Sequence, residues 1–230
     1  MEQRLSRQQA SEAVHDNGWR YILGTLQTSV PVRSLAQGIS VTSDVVAVCG
    51  DDADHHLRVD ARPDLITLTL QSLTHAAVTD RDVELAHRIS TAVREAGLRT
   101  EPGIGTGAQR SVQLVEIAID ALDIARIRPF WKAVLGYADE LDGAGPEDPL
   151  VDPFRVGPAL WFQQMDRARP QRNRIHLDIS VPHDEASQRI DAALTAGGRL
   201  VSATRAPAFW ILADPEGNEA CVTTWQGRDG

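Results

Sequence analysis

The five residues Val115-Glu116-Ile117-Ala118-Ile119 recur in the second half of the chain as Ile175-His176-Leu177-Asp178-Ile179. Each copy alternates apolar and polar side chains, which is typical of a strand with one buried face. Each copy is followed by a segment with helical periodicity that closes at glycine, at Gly136 and at Gly197-Gly198. The repeat therefore predicts two copies of one unit, in which a strand is followed by a helix and then by further short strands.

A stretch rich in glycine and proline, Glu101-Pro102-Gly103-Ile104-Gly105-Thr106-Gly107, precedes the first copy of this repeat. Such a composition is typical of a linker. For a chain of 230 residues, two domains of about a hundred residues each are the natural expectation. We therefore predict one domain over residues 1–104 and a second domain over residues 110–230.

The first domain is predicted to mix helices with strands. The patterns indicate helices over residues 7–15, 32–49 and 79–97 and strands over residues 19–30 and 66–71. Ser6 with Gln9 and Thr79 with Asp82 have the spacing of helix caps. Residues 32–49 are rich in β-branched side chains, but their apolar positions recur at helical spacing, so we favour helix there. The whole chain is therefore expected to be an α+β protein.

Composition excludes several classes of function. The net charge of −9 and the isoelectric point near 5.2 argue against a nucleic-acid partner. No apolar run is long enough to cross a bilayer and the N-terminal residues are polar, so we expect a cytoplasmic protein without membrane contact. Cys49 and Cys221 have no paired spacing, which argues against a disulfide framework or a structural zinc site.

A cluster of ionisable residues marks the first domain. It comprises Asp51, the adjacent pair His55-His56, Thr74-His75 and Arg81-Asp82. Histidine both donates and accepts protons near neutral pH, so three imidazoles with carboxylates nearby indicate acid-base chemistry. In an extended segment His55 and His56 would point to opposite faces, which makes joint binding of one metal ion the less favoured interpretation.

This arrangement resembles the pterin-4a-carbinolamine dehydratase family, with an acidic residue, a His-His pair and a Thr-His. The resemblance covers residues 5–98 and implies an antiparallel sheet with helices. It also implies that His55, His56 and His75 are catalytic and that no metal or redox cofactor is required. The residues it assigns to orienting the imidazoles or binding a pterin-like substrate are Asp51, Trp19, Thr74, Arg81 and Asp82.

Simpler explanations stand beside these roles. The three histidines could be strand-end residues with ordinary hydrogen bonds, and Trp19 could be a core residue and not the rim of a pocket. Asp82 could cap a helix and have no role in a site. The chain has Leu57 where the family usually has proline, and the short loop containing Ala76-Ala77-Val78 is expected to shrink or reshape the pocket.

The second domain resembles the glyoxalase-like (vicinal oxygen chelate) family. The resemblance rests on Phe130-Trp131, on the run from Phe162 to Asp178 and on the turn Asp214-Pro215-Glu216-Gly217-Asn218. It implies a paired βαβββ domain and a possible divalent metal. The candidate ligands are Glu116, His176, Gln163 or Gln164, and Cys221, and Glu219 could substitute for Cys221 only if its strand starts early enough to turn it inward. Cysteine and glutamine suit the usual oxygen-and-nitrogen site poorly, and His176 could instead be satisfied by Asp178.

Three functions remain open from the sequence. The first is a hydro-lyase that dehydrates a 4a-hydroxytetrahydropterin through histidine acid-base chemistry. The second is a metal-dependent lyase, isomerase or dioxygenase that works through the glyoxalase-like half. The third is a protein that binds a small molecule without turnover. Both resemblances imply a homo-oligomer.

Overall fold

The computed structural model describes residues 2–103, 111–141, 143–168 and 175–227. The chain divides into two compact units, Met1–Leu114 and Val115–Gly230. Residues 104–110, which include part of the predicted linker, lie outside the described residues, as do residues 169–174 of the run between Phe162 and Asp178. Each unit has its own buried apolar core.

The first unit is a four-stranded antiparallel sheet packed against helices. Its helices are α1 (Arg7–Val14), α2 (Leu35–Cys49), α3 (Ala53–His56) and α4 (Asp80–Glu95). Its strands are β1 (Arg20–Ile22), β2 (Thr25–Pro31), β3 (Leu57–Ala61) and β4 (Leu65–Leu70), in the order β1-β2-β4-β3. Every neighbouring pair is antiparallel, as the resemblance implied.

Two predicted elements are confirmed for the reasons given by their patterns. In β4 the apolar residues Ile66, Leu68 and Leu70 are fully buried while the intervening residues are half-buried. Residues 35–49 form a helix, because one face carrying Val41, Val45 and other small residues packs into the core. Burial of that face outweighs the weak helix propensity of its β-branched residues.

Two local predictions are wrong. The strand expected over residues 19–30 is broken by Leu23 and Gly24, whose φ angles of 44° and 75° make the turn of a hairpin between β1 and β2. His55 and His56 were expected in an extended segment, but they end the short helix α3. Their side chains are therefore separated by a helical step and do not alternate across a strand.

The second unit repeats one topology twice. The first copy has β5 (Glu116–Ala121), α5 (Ile124–Leu135), β6 (Ala138–Asp139), β7 (Leu150–Val151) and β8 (Ala159–Gln164). The second has β9 (Leu177–Ser180), α6 (Ala186–Thr195), β10 (Arg199–Arg205), β11 (Phe209–Ala213) and β12 (Glu219–Thr223). The sheets run β5-β8-β7-β6 and β9-β12-β11-β10, and in both the first and last strands are parallel. These are the two strand-helix-strands units predicted from the repeat, in the paired βαβββ form that the resemblance implied.

The two copies share one core. Helices α5 and α6 are in contact, and Trp131 donates its indole N–H to the buried Asp214 at 3.0 Å. Asp214 also organises the predicted turn, because its Oδ1 accepts from the backbone N–H groups of Glu216 and Asn218. The opposite face of the sheets exposes polar side chains and Trp161. Within the described residues, no helix has the length and apolar character needed to cross a bilayer.

Candidate functional site

His56 is the most constrained histidine of the first unit. It is the last residue of α3 and is only 3% exposed. Its Nδ1 lies 2.9 Å from Oδ1 of Asp82, which is fully buried in the first turn of α4. An ionised carboxylate only accepts hydrogen bonds, so this contact places the proton on Nδ1 and fixes the ring orientation.

Asp82 has both of the roles that the sequence left open. As the third residue of α4 it completes the capping box, accepting from Thr79 N at 2.7 Å and Thr79 Oγ1 at 2.9 Å. The same Oδ2 atom accepts from Ser72 N at 3.3 Å, while Oδ1 accepts from His56. One buried carboxylate therefore binds the start of the helix, the segment after β4 and the imidazole together.

Glu2 lies on the other side of His56. Its Oε1 is 3.3 Å from His56 Nε2, and its Oε2 is 3.5 Å from His75 Nδ1. Burial by itself would raise the pKa of the Glu2 carboxyl, but the Ser72 hydroxyl, the His56 imidazole and the Thr79 hydroxyl hold that pKa below its usual range. Glu2 is therefore present as a carboxylate between two imidazoles.

His75 lies in the turn that follows β4. Its Nδ1 is 3.0 Å from Ser72 Oγ in addition to its contact with Glu2, and its side chain is 36% exposed. The turn is closed by a bridge between Ser72 and Ala77, and Ala76 adopts a φ of 46°. The described groups thus form a chain from Asp82 through His56 and Glu2 to His75, with a buried end and a half-exposed end.

The structure does not place the third histidine in this chain. The His55 side chain is exposed, although its carbonyl accepts from Leu73 N at 3.0 Å and so ties it to the segment that carries His75. Asp51 and Thr74 are also exposed. Of the three histidines, His56 and His75 are therefore the two that Glu2 joins, and His56 is buried.

Arg81 is occupied by carboxylates of its own unit. Its guanidinium contacts Asp52 and Glu84, and the hydrogen bond from Arg81 lowers the pKa of the Asp52 carboxyl. A cavity of about 260 Å³ beside it is lined by Glu2, Asp80, Arg81 and Glu84. Arg81 therefore lines the same cavity as Glu2, while its guanidinium is paired with Asp52 and Glu84.

Trp19 is a core residue and does not line a pocket. It is fully buried, and its Nε1 donates to Ser90 Oγ at 2.9 Å. Burial of the large indole and satisfaction of its only donor explain this position.

The structure also adds three residues that the sequence did not suggest, Glu2, Ser72 and Asp52. Glu2 and Ser72 have no motif, whereas Asp52 could have been recognised from its place between Asp51 and the histidine pair.

A second group of possible ligands lies in the second unit, where His176 and Asp178 are exposed and Cys221 is buried. His176 Nε2 is 3.4 Å from Asp178 Oδ1, and Cys221 is paired with Asp178 across β9 and β12. One ligand atom from each of these three residues lies within 4.8 Å of the other two. Asp178 thus joins the two predicted candidates His176 and Cys221.

The other two candidates lie in the other sheet of this unit. Glu116 begins β5 opposite Ala159 and is outside the cluster found among the described acidic, histidine and cysteine residues. Gln163 lies in β8 opposite Asp120 and donates to Gln164 O at 3.3 Å. Because β5 and β8 belong to the first copy of the repeat, neither residue is a strand neighbour of His176 or Cys221.

The comparison with family models agrees with this division. Residues 3–92 match the model described as pterin 4 alpha carbinolamine dehydratase, and residues 116–223 match the model described as glyoxalase-like domain. The first match includes His56, His75 and Asp82 and begins one residue after Glu2, and the second spans both copies of the βαβββ repeat. The fold and the matches thus define a two-domain protein in which these two modules are fused.

Curated relatives resemble the first unit. A protein of Mycobacterium bovis, provisionally named pterin-4-alpha-carbinolamine dehydratase, is 30% identical over 86 residues, which cover 37% of this chain and 90% of the relative. A protein of Mycolicibacterium smegmatis with the same provisional name is 34% identical over 89 residues, covering 37% and 92%. The chain therefore belongs to the pterin-4a-carbinolamine dehydratase family through its first unit, and it carries a glyoxalase-like second domain.

Two solved structures are similar to parts of this chain. One is described as a transcriptional coactivator/pterin dehydratase from Brucella melitensis, with 17% identity and a TM-score of 0.36, covering 39% of this chain and 98% of that one. Another is a glyoxalase/bleomycin resistance protein from Albidiferax ferrireducens, with 15% identity and a TM-score of 0.36, covering 48% and 97%.

Proposed function

We propose that the first unit dehydrates a pterin-4a-carbinolamine. In this reaction the C4a–O bond breaks and the hydroxyl leaves as water after receiving a proton. The adjacent ring nitrogen loses its own proton, and a C4a=N double bond forms. No electrons are exchanged with a second reactant. The protein needs only a proton donor near the oxygen and a proton acceptor near the nitrogen, which histidines supply near neutral pH.

The observation that supports this proposal is the chain from Asp82 through His56 and Glu2 to His75. Both described contacts of His75 use Nδ1, so Nε2 is the nitrogen that can face a substrate. His55 is exposed on the adjoining segment and can supply the second proton-transfer group. We assign substrate binding to the exposed Asp51 and Thr74 and to Arg81 at the neighbouring cavity.

The test is turnover of a freshly generated 4a-hydroxytetrahydropterin by the purified full chain, followed through the absorbance of the quinonoid dihydropterin. We expect the double variant His56→Ala with His75→Ala to lose about 10²- to 10⁴-fold in rate, the usual contribution of acid-base groups. His87→Ala, whose ring contacts Ala13 O in the same unit, is the matched control. Unchanged activity in the double variant would reject the assignment, and bound pterin without turnover would favour a binding protein.

A second candidate function is metal-assisted catalysis by the glyoxalase-like domain. The cluster of His176, Asp178 and Cys221 offers nitrogen, oxygen and sulfur donors, a set that suits Zn²⁺ better than Mg²⁺ or Ca²⁺. Three protein ligands would leave a position for a substrate oxygen, which a bound cation would polarise. His176 and Asp178 have side chains that are 54% and 61% exposed, so solvent can reach this place.

Metal titration separates this candidate from the first. We expect the full chain to bind one Zn²⁺ or Co²⁺ through this cluster, with a sulfur-to-cobalt absorption band that disappears in Cys221→Ser. Glu116→Gln is the control, because Glu116 lies outside the cluster. Stoichiometric binding that survives His176→Ala and Cys221→Ser would reject this site.

We also propose that the protein self-associates through α2. Leu35, Ile39 and Val46 lie at helical spacing and are all more than 40% exposed. Light scattering on the full chain tests this, since Ile39→Glu should lower the mass if α2 forms the interface. An unchanged mass in Ile39→Glu would place any interface elsewhere.

A further inference from the structure

Residues 2–5, called here the N-terminal arm, are held along the start of α4. Leu5 N donates to Val78 O at 3.0 Å, and Asp80 N donates to Gln3 O at 3.0 Å. Gln3 N in turn donates to Asp80 Oδ1 at 2.9 Å. The Arg4 guanidinium donates to the carbonyl of His75, so the arm also contacts the turn that follows β4. The backbone beside Glu2 is therefore held by the start of α4 and by the turn that carries His75.

The Glu2 carboxylate is shared between the two imidazoles. Oε1 faces His56 Nε2 at 3.3 Å and Oε2 faces His75 Nδ1 at 3.5 Å. Oε2 is buried without a hydrogen bond of ordinary length, and such an atom costs free energy unless a donor approaches it. The Nδ1–H group of His75 and the hydroxyls of Ser72 and Thr79 are the donors placed to do so. His56 binds Asp82 through Nδ1, and its Nε2 can donate to the other oxygen of Glu2 when the ring is protonated, so that Glu2 bridges the two rings.

We propose that Glu2 is a positioning residue for His75 in the dehydration. It keeps the proton of neutral His75 on Nδ1, which leaves Nε2 unprotonated and able to accept the proton of the substrate ring nitrogen. It then stabilises the imidazolium that forms, because its negative charge lies beside Nδ1. This inference rests on the proposed dehydratase function.

The protons and electron pairs of this reaction balance. The N–H bond of the substrate ring breaks and its proton bonds to His75 Nε2. The electron pair left on nitrogen forms the C4a=N bond, and the pair of the C4a–O bond leaves with the hydroxyl. The hydroxyl takes a proton from the acid group and departs as water. Glu2 remains ionised throughout and touches neither substrate atom.

Several charged and polar groups face Glu2 and share in any pH dependence. From the arm, α3 and the turn after β4 they are Arg4, His56, Ser72 and His75, and from α4 and its cap they are Thr79, Asp80, Arg81, Asp82 and Glu84. Asp82 acts on Glu2 through His56. Replacing only Glu2 changes the charge beside His75 while leaving every one of these groups in place.

The first test is steady-state kinetics of Glu2→Gln in the full chain. The amide keeps the size of the side chain but can turn its NH₂ group toward Nδ1, which favours the wrong tautomer and stabilises no cation. We expect kcat to fall about 10- to 100-fold with KM unchanged, less than the loss of a whole acid-base group. The loss should shrink toward low pH, because the wild-type carboxylate also stabilises the protonated form of His75, which cannot accept a proton. Glu2→Asp should be intermediate because its carboxylate is one carbon too short to span both rings.

The matched control is Glu12→Gln on the exposed face of α1, which should behave as wild type. The second readout is independent of turnover. The imidazole nitrogen resonances of His56 and His75 should both move in Glu2→Gln, whereas those of His87 should not.

The outcomes distinguish the two levels of the proposal. Turnover by wild type together with unchanged kcat and pH profile in Glu2→Gln overturns the role of Glu2 alone. A rise in KM with unchanged kcat also overturns it, since Glu2 would then bind substrate directly. Failure of the wild type to turn over any 4a-hydroxytetrahydropterin overturns the dehydratase function and the role of Glu2 with it.

Discussion

His56 and His176 are both candidate site residues but occupy different environments. His56 is 3% exposed and has a carboxylate on each ring nitrogen, whereas the side chain of His176 is 54% exposed and contacts Asp178 at 3.4 Å. A buried ring with two partners has a single orientation, and chemistry needs groups held close to their working geometry. The comparison shows that burial and hydrogen-bonding neighbours matter more than residue type. They distinguish a preorganised site, such as that of His56, from a cluster such as that of His176, whose geometry a metal ion would have to set.

The largest expected difference between the two histidines is kinetic. His56→Gln should lower pterin turnover by about 10²-fold or more, because it removes the clamp on Glu2 along with a ring of the site. His176→Gln should leave turnover within experimental error. Steady-state assays on the two variants measure this directly. Equal losses in both would mean that the second unit takes part in the reaction.

The two aspartates beside these histidines should differ in stability. Asp82→Ala leaves His56, Ser72 N and Thr79 N without their acceptor, and we expect it to cost about 3 kcal/mol of unfolding free energy. Asp178→Ala alters an exposed contact and should stay within about 0.5 kcal/mol. Hydrogen exchange read by mass spectrometry reports each unit separately. A small effect of Asp82→Ala would show that water replaces its carboxylate.

The two buried tryptophans test the two cores. Trp19→Phe removes a hydrogen bond to the neutral Ser90, and Trp131→Phe removes one to the carboxylate of Asp214. Both substitutions delete the same volume, so the difference between them reports the acceptor. We expect Trp131→Phe to cost more by about 1 kcal/mol, as for bonds to charged groups. Denaturant unfolding followed by exchange in each unit measures it, and equal costs would contradict this explanation.

The smallest expected effect is on acid stability. Lys132 and Arg128 lower the pKa of Asp139 in the second unit, and Arg81 lowers that of Asp52 in the first. Each depressed pKa contributes stability above about pH 4, and this contribution is lost as the pH falls toward the folded-state value.

Asp139→Asn and Asp52→Asn should each flatten the acid side of the stability curve of their own unit by less than about 1 kcal/mol, because these pairs are partly exposed. Urea titrations between pH 7 and pH 3 follow the change. A steeper acid dependence in either variant would show that the pair does not favour the ionised carboxylate.

Much of the fold followed from the sequence, because periodicity and caps act between near neighbours. The repeat at Glu116 and His176 predicted two strand-helix-strands units, and the capping box at Thr79 and Asp82 predicted the start of α4. The hairpin at Leu23 and Gly24 was missed, since positive φ angles arise from packing as much as from composition. The helical placement of His55 and His56 was missed because four residues are too few to show a period.

The sequence by itself determined which residue types are available: the histidines, Asp82, and the strand and helix periods that carry them. Only the tertiary structure decided which of them meet. Glu2 reaches His56 and His75 because its arm pairs with the start of α4, and Asp178 replaces Glu116 in the second cluster because β9 lies beside β12. Trp19 lies in the core and not at the site, because its large indole is fully buried there. Local patterns record the preferences of neighbouring residues, whereas a site is made by contacts between residues far apart in the chain, and these are set by packing.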